Sequence, residues 1–255
     1  MMRVAALYDI HGNLPALEAV LHEIRHLGVD RIVVGGDVVP GPMPRETLSC
    51  LLALDIPTDF IHGNGDREVL ASLRRMELTT VPEAFRHLVH WSAQQLDPEH
   101  ERVLANWPST LRLNLASIGD VLFCHATPRN DTEIFTRLTS EERLLPIFEG
   151  LDAALVVCGH THMQFDRMIG RTRVVNAGSV GMPFGEPAAY WLLLGPDVEL
   201  RRTSYDLADA AQRIRRTTYP EAQTFATRNV LQPPSEAESL AAFDRAELHD
   251  ADRSR

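Results

Sequence analysis

Short apolar runs alternate with amphipathic stretches over the first 65 residues, and this alternation constrains the fold more than any other feature of the chain. Residues 3–8 read as a strand ending in the polar turn Asp9-Ile10-His11-Gly12-Asn13. Pro15 opens a helix running to Leu27, with Leu17, Val20, Leu21, Ile24 and Leu27 on one stripe and Gly28 as its stop. A second strand, 31–34, runs into Gly35-Gly36-Asp37, and a helix covers 44–53. A third strand, 58–61, ends at His62-Gly63-Asn64-Gly65-Asp66. Alternation of this kind implies parallel pairing through right-handed crossovers, with functional loops at the carboxyl ends of the strands.

From 67 to 108 the pattern turns helical, interrupted at Pro82 and Pro98, and reads as a cap-like insertion. Strands are expected at 111–115, 121–124 and 153–157, the second ending at His125 and the third at Cys158-Gly159-His160-Thr161-His162. Residues 163–169, 173–176, 189–194 and 198–205 read as a run of antiparallel strands. Asp206 is placed to cap a closing helix with Leu207, Ala210, Ala211 and Ile214 inward. One domain is expected over 1–231, followed by an acidic, flexible tail over 232–255 that reads as a loosely held helix or as disorder.

Composition narrows the function. All 25 cationic side chains among the 255 residues are arginine, and 35 acids bring the net charge to −10. A chain without lysine has no Walker lysine and no Schiff base, and this one lacks the positive field of a general nucleic-acid binder. No apolar run reaches the length of a membrane span, and the N-terminal apolar run is too short for a signal-peptide core. Three cysteines without paired spacing fit reduced thiols, and so a cytoplasmic protein.

Five polar clusters stand at the ends of expected strands: Asp9/His11, Asp37, Asn64/Asp66, His125 and His160/His162. Singly, each is an ordinary turn or surface group; the repetition carries the signal. Residues two apart in extended chain face the same way, so Asp9 with His11, and His160 with His162, can converge on one point. Imidazole, carboxylate and amide oxygen are ligands for borderline divalent metals. Asp37, alone on its loop, is the natural bridge between two ions.

In that order, Asp9-x-His11, Gly36-Asp37, Gly63-Asn64-x-Asp66, His125 and Gly159-His160-Thr161-His162 resemble the calcineurin-like metallophosphoesterase superfamily, in its short prokaryotic branch. Asn176-Ala177-Gly178-Ser179 resembles the segment that follows the last histidines there. The resemblance covers residues 3 to about 200 and implies a four-layer α/β/β/α sandwich of two mixed β-sheets with a helical insertion. It implies one metal held by Asp9, His11, Asp37 and His162, and another by Asp37, Asn64, His125 and His160. It also implies that Asp66 orients a ligand histidine from behind. Two divalent ions, with manganese favoured over Fe, Zn, Co or Ni, bring +4 against −2 from Asp9 and Asp37, so an acidic chain can hold an anion. A hydroxide bridging the metals would attack phosphorus.

Arg129 is either a ligand of the phosphoryl oxygens or a solvated loop arginine, and His62 either a proton donor or a packed strand-end residue. Gly65 departs from the family, many of whose members carry histidine there to protonate the leaving group. The catalytic groups expected are thus Asp37, Asp66 and Arg129, with Asn64, Arg129 and His62 touching substrate. The expected activity is a phosphodiesterase acting on small nucleotide-like or aryl esters. Dinucleoside polyphosphate hydrolase and phosphomonoesterase are the enzymatic alternatives, and a non-catalytic metal-binding scaffold the rival of another class.

Overall fold

A computed structural model describes residues 2–246. β1 (Val4–Leu7), α1 (Leu14–Leu27), β2 (Arg31–Val34), α2 (Pro44–Leu52) and β3 (Thr58–Phe60) form the front half as expected. α3 (Asn64–Leu73), α4 (Glu83–Gln94) and α5 (Pro98–Leu104) follow. The helical stretch starts three residues earlier than the sequence suggests, because Asn64 and Asp66 lie in the first turn of α3. β4 (Thr110–Leu115), β5 (Gly119–Cys124), α6 (Glu141–Phe148), β6 (Leu155–Cys158), β7 (Phe165–Ile169) and β8 (Thr172–Asn176) come next. β9 (Ala189–Leu194), β10 (Val198–Thr203), α7 (Leu207–Arg215), α8 (Ala222–Phe225), a π-type turn over Ala226–Leu231 and α9 (Glu236–Asp244) complete the described chain.

Two five-stranded mixed sheets result, ordered β10-β9-β1-β2-β3 and β4-β5-β6-β8-β7. β1 pairs parallel with β2 and antiparallel with β9, while β6 pairs parallel with both β5 and β8. Alternate residues of β1 divide between two cores, as the two-residue period of a strand requires. Ala5 and Leu7 face α1 and α2 with Leu17, Val20, Ile24 and Leu48; Val4, Ala6 and Tyr8 face the other sheet with Phe123, Val157 and Val175. A third core places Leu144, Ile147 and Phe148 of α6 on the outer side of the second sheet. The layers are therefore α/β/β/α.

The back half differs from expectation in one respect. The run from β7 to β10 does not stay in one sheet: β7–β8 is a hairpin of the second sheet and β9–β10 a hairpin of the first. The crossing segment is tied to the loop after β1, where Val180 and Gly181 donate their N–H to the carbonyls of Tyr8 and Asp9. Part of the expected tail is ordered. α9 begins with a capping box of Ser235 and Glu238, Glu236 pairs with Arg137, and Phe243 packs on Phe184. The rest of that expectation, 247–255, lies outside the described residues.

The insertion is fastened beside the strand-end loops. Ser92 of α4 bonds the N–H and carbonyl of Gly41, just past Asp37. Buried Glu68 of α3 accepts from the backbone N–H groups of Thr79 and Thr80 and from both hydroxyls, fixing the chain between α3 and α4. Among the described residues no helix is long and apolar enough to cross a membrane.

Candidate metal centre

The carboxyl ends of β1, β2, β5 and β6 meet at one point, and the chain turns there with visible strain. Six non-glycine residues among those described have positive φ, and five of them are Asp9 (54°), His11 (47°), Asp37 (52°), His160 (66°) and His162 (59°). The left-handed region costs a residue with a side chain about 1–2 kcal/mol, and such strain persists only where its surroundings over-determine it. Here the strand-end loops bond each other: Asp9 N–H to the Gly36 carbonyl, His11 N–H to Asp37, and Gly12 N–H to Val38. Asn176 donates to the Gly159 carbonyl and the Thr161 hydroxyl, and the Ser179 hydroxyl donates to the carbonyl of Asp9. The segment 176–179 thus braces two of the ligand loops.

Around this point the functional atoms are close. His11 Nε2 is 3.7 Å from Asp37 Oδ2 and 3.2 Å from His162 Nε2. His125 Nε2 is 3.7 Å from Asp37 Oδ1 and 3.2 Å from Asn64 Oδ1. Asp9 Oδ1 lies 4.0, 3.9 and 3.5 Å from the Nε2 atoms of His11, His125 and His162. The His160 ring stands 5.1 Å from that of His125, centroid to centroid, and its backbone N–H donates to Asp9 Oδ2. All seven residues expected as ligands are therefore brought together. Asp9 and Asp37 both lie between the imidazoles, where the sequence reading expects Asp37 alone to bridge.

Three histidines are held from behind by backbone. The Nδ1 atoms of His11, His125 and His162 lie 3.1, 2.9 and 2.7 Å from the carbonyls of Pro40, Gly35 and Met182. A carbonyl only accepts, so each Nδ1 carries a proton, and in the neutral ring each Nε2 turns its lone pair inward. The facing Nε2 atoms of His11 and His162 then repel unless a proton or cation lies between them. Asp9 Oδ1, fully buried, has no hydrogen-bond partner, an expensive state for a carboxylate oxygen unless a cation compensates it. Oxygen and imidazole donors, inward lone pairs and this orphaned oxygen together fit divalent cations.

The electrostatics follow from burial and charge. Burial opposes a charge on Asp9, but His162, His125 and His11 hold its carboxyl well below the usual range. Burial, reinforced by the charge of His125, drives His160 down to about 4 and keeps it neutral. Asp66 is pushed up to about 7 by burial and then by the charge of Asp37, against three backbone N–H groups that favour its ionised form.

Those N–H groups correct the role expected for Asp66. It touches no histidine: Oδ1 accepts from Val38 and Val39 N–H at 2.9 and 3.0 Å, and Oδ2 from Gly63 N–H at 3.2 Å. As the third residue of α3 it caps that helix and staples the loop after Asp37 to it. Backbone carbonyls orient the histidines instead.

His62 and Arg129 lie beside the cluster, not in it. They share with His125, Arg67 and Asp131 a polar opening of about 240 Å³. Arg129 Nε donates to buried Glu133 at 2.6 Å. Arg67, which the sequence reading passes over, forms a two-point pair with Asp131, at 2.8 and 3.1 Å, and His62 Nδ1 is 3.5 Å from the same carboxylate. Its only signal was its place directly after Asp66; its partner lies 64 residues away. Cys124 and Cys158 are buried behind the ligand strands, where burial raises their thiols, and neither completes a metal site.

Gly65 is forced by space. Its N–H donates to Asp37 Oδ1 at 2.7 Å, and a Cβ there would lie 2.7 Å from Pro40 Cγ and 2.9 Å from Asp37 Oδ1. Gly65→Ala is expected to displace Asp37 and weaken divalent-metal binding by about 10–100-fold, the usual cost of losing a group that orients a ligand. Calorimetric titration with Mn²⁺ measures this; unchanged affinity would show that Pro40 gives way instead.

A two-sheet sandwich with imidazoles and carboxylates gathered at its strand ends defines a candidate metal centre. The chain belongs to the calcineurin-like phosphoesterase superfamily, whose domain model matches residues 2–195. It is 27% identical over 238 residues to an uncharacterized protein of Methanocaldococcus jannaschii, covering 86% of this chain and 94% of that one. A crystal structure of a metallophosphoesterase from Sphaerobacter thermophilus is 28% identical with a TM-score of 0.69, covering 89% of this chain and 97% of that one. A hypothetical protein from Pyrococcus horikoshii shares the fold with a TM-score of 0.77 at 22% identity, covering 89% and 98%.

Proposed function

We propose that the chain is a dinuclear metal-dependent phosphodiesterase for small organic phosphate diesters. Asp9, His11, Asp37 and His162 would hold one divalent cation, and Asp37, Asn64, His125 and His160 the other. The observation that carries this reading is the orphaned Asp9 Oδ1, buried among three inward-facing imidazole nitrogens. Two such cations supply Lewis-acid chemistry: activation of water near neutral pH and a clamp on the phosphoryl oxygens. The residues do the rest. Asp37 presents one carboxylate oxygen to each side, Asp66 fixes the backbone that carries it, and neutral His160 keeps a lone pair for ligation. Free Cys50, Cys124 and Cys158 are in keeping with a cytoplasmic setting.

Preference for a diester is supported by two openings that share histidines of the cluster, one at His11 and one at His125. A monoester needs only one. Arg67 and Arg129 on the His125 side favour dinucleoside polyphosphates as the second reading, behind the first because both arginines already hold carboxylates.

Gly65 contributes no general acid, whose help is worth about 10²–10⁴ in rate. Rates are therefore expected to fall steeply as the leaving group becomes more basic. The test is a series of substituted phenyl diesters, run with Mn, Fe, Zn, Co or Ni, against the matching monoesters. Faster diester turnover and a steep dependence on leaving-group pKa are expected. A flat dependence overturns the leaving-group argument, and intact metal binding with no turnover of any ester favours a scaffold.

A further inference from the structure

A second cavity, of about 490 Å³, opens from the His11 side of the metal centre. His11 lines it, and the same residue's Nε2 stands 3.7 Å from Asp37 in the cluster. Leu88 and Phe85 of α4, Met182, Tyr219 and Phe225 line it.

Three observations define what it takes. The Tyr219 ring is clamped edge-on by Trp91, with centroids 5.1 Å apart and planes at 73°, and meets Phe225 at 6.1 Å and 89°. Tyr219 is thus held between two neighbouring rings and brings an aromatic side chain to the lining, the kind of group against which nucleobases pack. Polar groups are few and neutral or weakly basic: His87, Ser92, Thr224 and, carried in by the π-type turn, Asn229. Turns of that type recur at functional sites. Finally, among the described residues the wall holds no arginine and a single carboxylate, Glu221, which disfavours an anionic group. The volume lies within the range of small-molecule sites, roughly 300–1,000 Å³.

Resting on the phosphodiesterase reading, we propose that this cavity is the subsite for an uncharged nucleoside arm of the substrate. The base would lie against Tyr219, its edges meeting the neutral polar side chains, and the ester phosphate would reach back past His11. A charged polyphosphate arm is excluded from this side by the lack of cations and by Glu221. The insertion and the C-terminal layer thus supply substrate selection, while the sandwich supplies the metal ligands.

The test has two arms. In the first, the metal-free protein is titrated calorimetrically with adenosine, guanosine, cytidine and thymidine, probes that carry no phosphate. In the second, thymidine 5′-(4-nitrophenyl phosphate) and methyl 4-nitrophenyl phosphate, which share a leaving group, are compared in the wild type and in Ala84→Trp. Ala84 is an exposed residue of the wall, so a large side chain there fills the cavity from outside. Saturable binding of at least one nucleoside is expected, with a KM at least 10-fold lower for the nucleoside diester. Ala84→Trp should bring the two KM values to within about 2-fold. Absence of nucleoside binding together with equal KM values in the wild type overturns the proposal, as does a KM ratio untouched by Ala84→Trp in a protein with wild-type melting. If neither diester is hydrolysed with any cation while a nucleoside still binds, the subsite stands and the phosphodiesterase reading falls.

Discussion

Asp9→Asn is expected to lower diester hydrolysis by about 10³-fold or more while leaving the metal-free fold intact. Asp9 is fully buried, its Oδ1 has no partner, and three imidazole nitrogens lie within 4.0 Å of that oxygen. Asparagine preserves the shape, and its carbonyl oxygen can accept the His160 N–H that Oδ2 now takes at 2.8 Å. What would be lost is the negative charge facing the cation that Asp9 is proposed to hold. Loss of about 4 kcal/mol of transition-state stabilisation corresponds to roughly a thousandfold in rate. Because the histidines hold Asp9 ionised in the metal-free protein, its loss should lower the metal-free melting temperature by no more than a few degrees. Steady-state kinetics with saturating Mn²⁺ and a melt in chelator check both halves. Activity within a few-fold of wild type would remove Asp9 from the centre.

The second large effect is on stability. Without metal, the centre packs two carboxylates, inward lone pairs and five left-handed residues into one buried spot. Ions that bind the folded chain but not the unfolded one stabilise it by about 2.7 kcal/mol at a hundred times Kd. For a chain of this size, that should raise the melting temperature by roughly 5–10 °C for one bound ion, and further for a second. Differential scanning calorimetry with Mn²⁺ against chelator provides the reading. In Asp9→Asn the rise should largely vanish. A wild-type melt indifferent to Mn²⁺ would mean that the cluster is held together without cations.

The cluster is legible in sequence because chemistry-bearing residue types repeat at the ends of apolar runs. Val4–Leu7, Arg31–Val34 and Leu155–Cys158 announce themselves as strands, and Asp9, Asp37 and His160 follow within two or three residues. The groups that orient them were not legible. Carbonyls of Pro40, Gly35 and Met182 fix the histidines, and a backbone carbonyl leaves no mark in residue type. The same holds for Asp66, whose partners are three N–H groups rather than a side chain. α6 was hidden by Pro146, which reads as a breaker yet sits within a helix whose Leu144, Ile147 and Phe148 are buried against the second sheet. The division of β7–β10 between sheets depends on the bonds of Val180 and Gly181 to the loop after β1, a tertiary fact with no local signature.

Gly65 shows the reverse case, in which structure explains an oddity plain in sequence. The position lacks a side chain because Pro40 and Asp37 occupy the space one would need. A histidine placed there would therefore displace Asp37 before it supplied an acid.

The central claim is that Asp9, His11, Asp37, Asn64, His125, His160 and His162 hold a pair of divalent cations. Anomalous diffraction from crystals grown with Mn²⁺ tests it most directly. The account predicts two peaks about 3.5–4 Å apart, flanked by Asp9 and Asp37 and within ligand distance of the four imidazoles and Asn64. A single peak, or manganese bound only elsewhere on the chain, would contradict it.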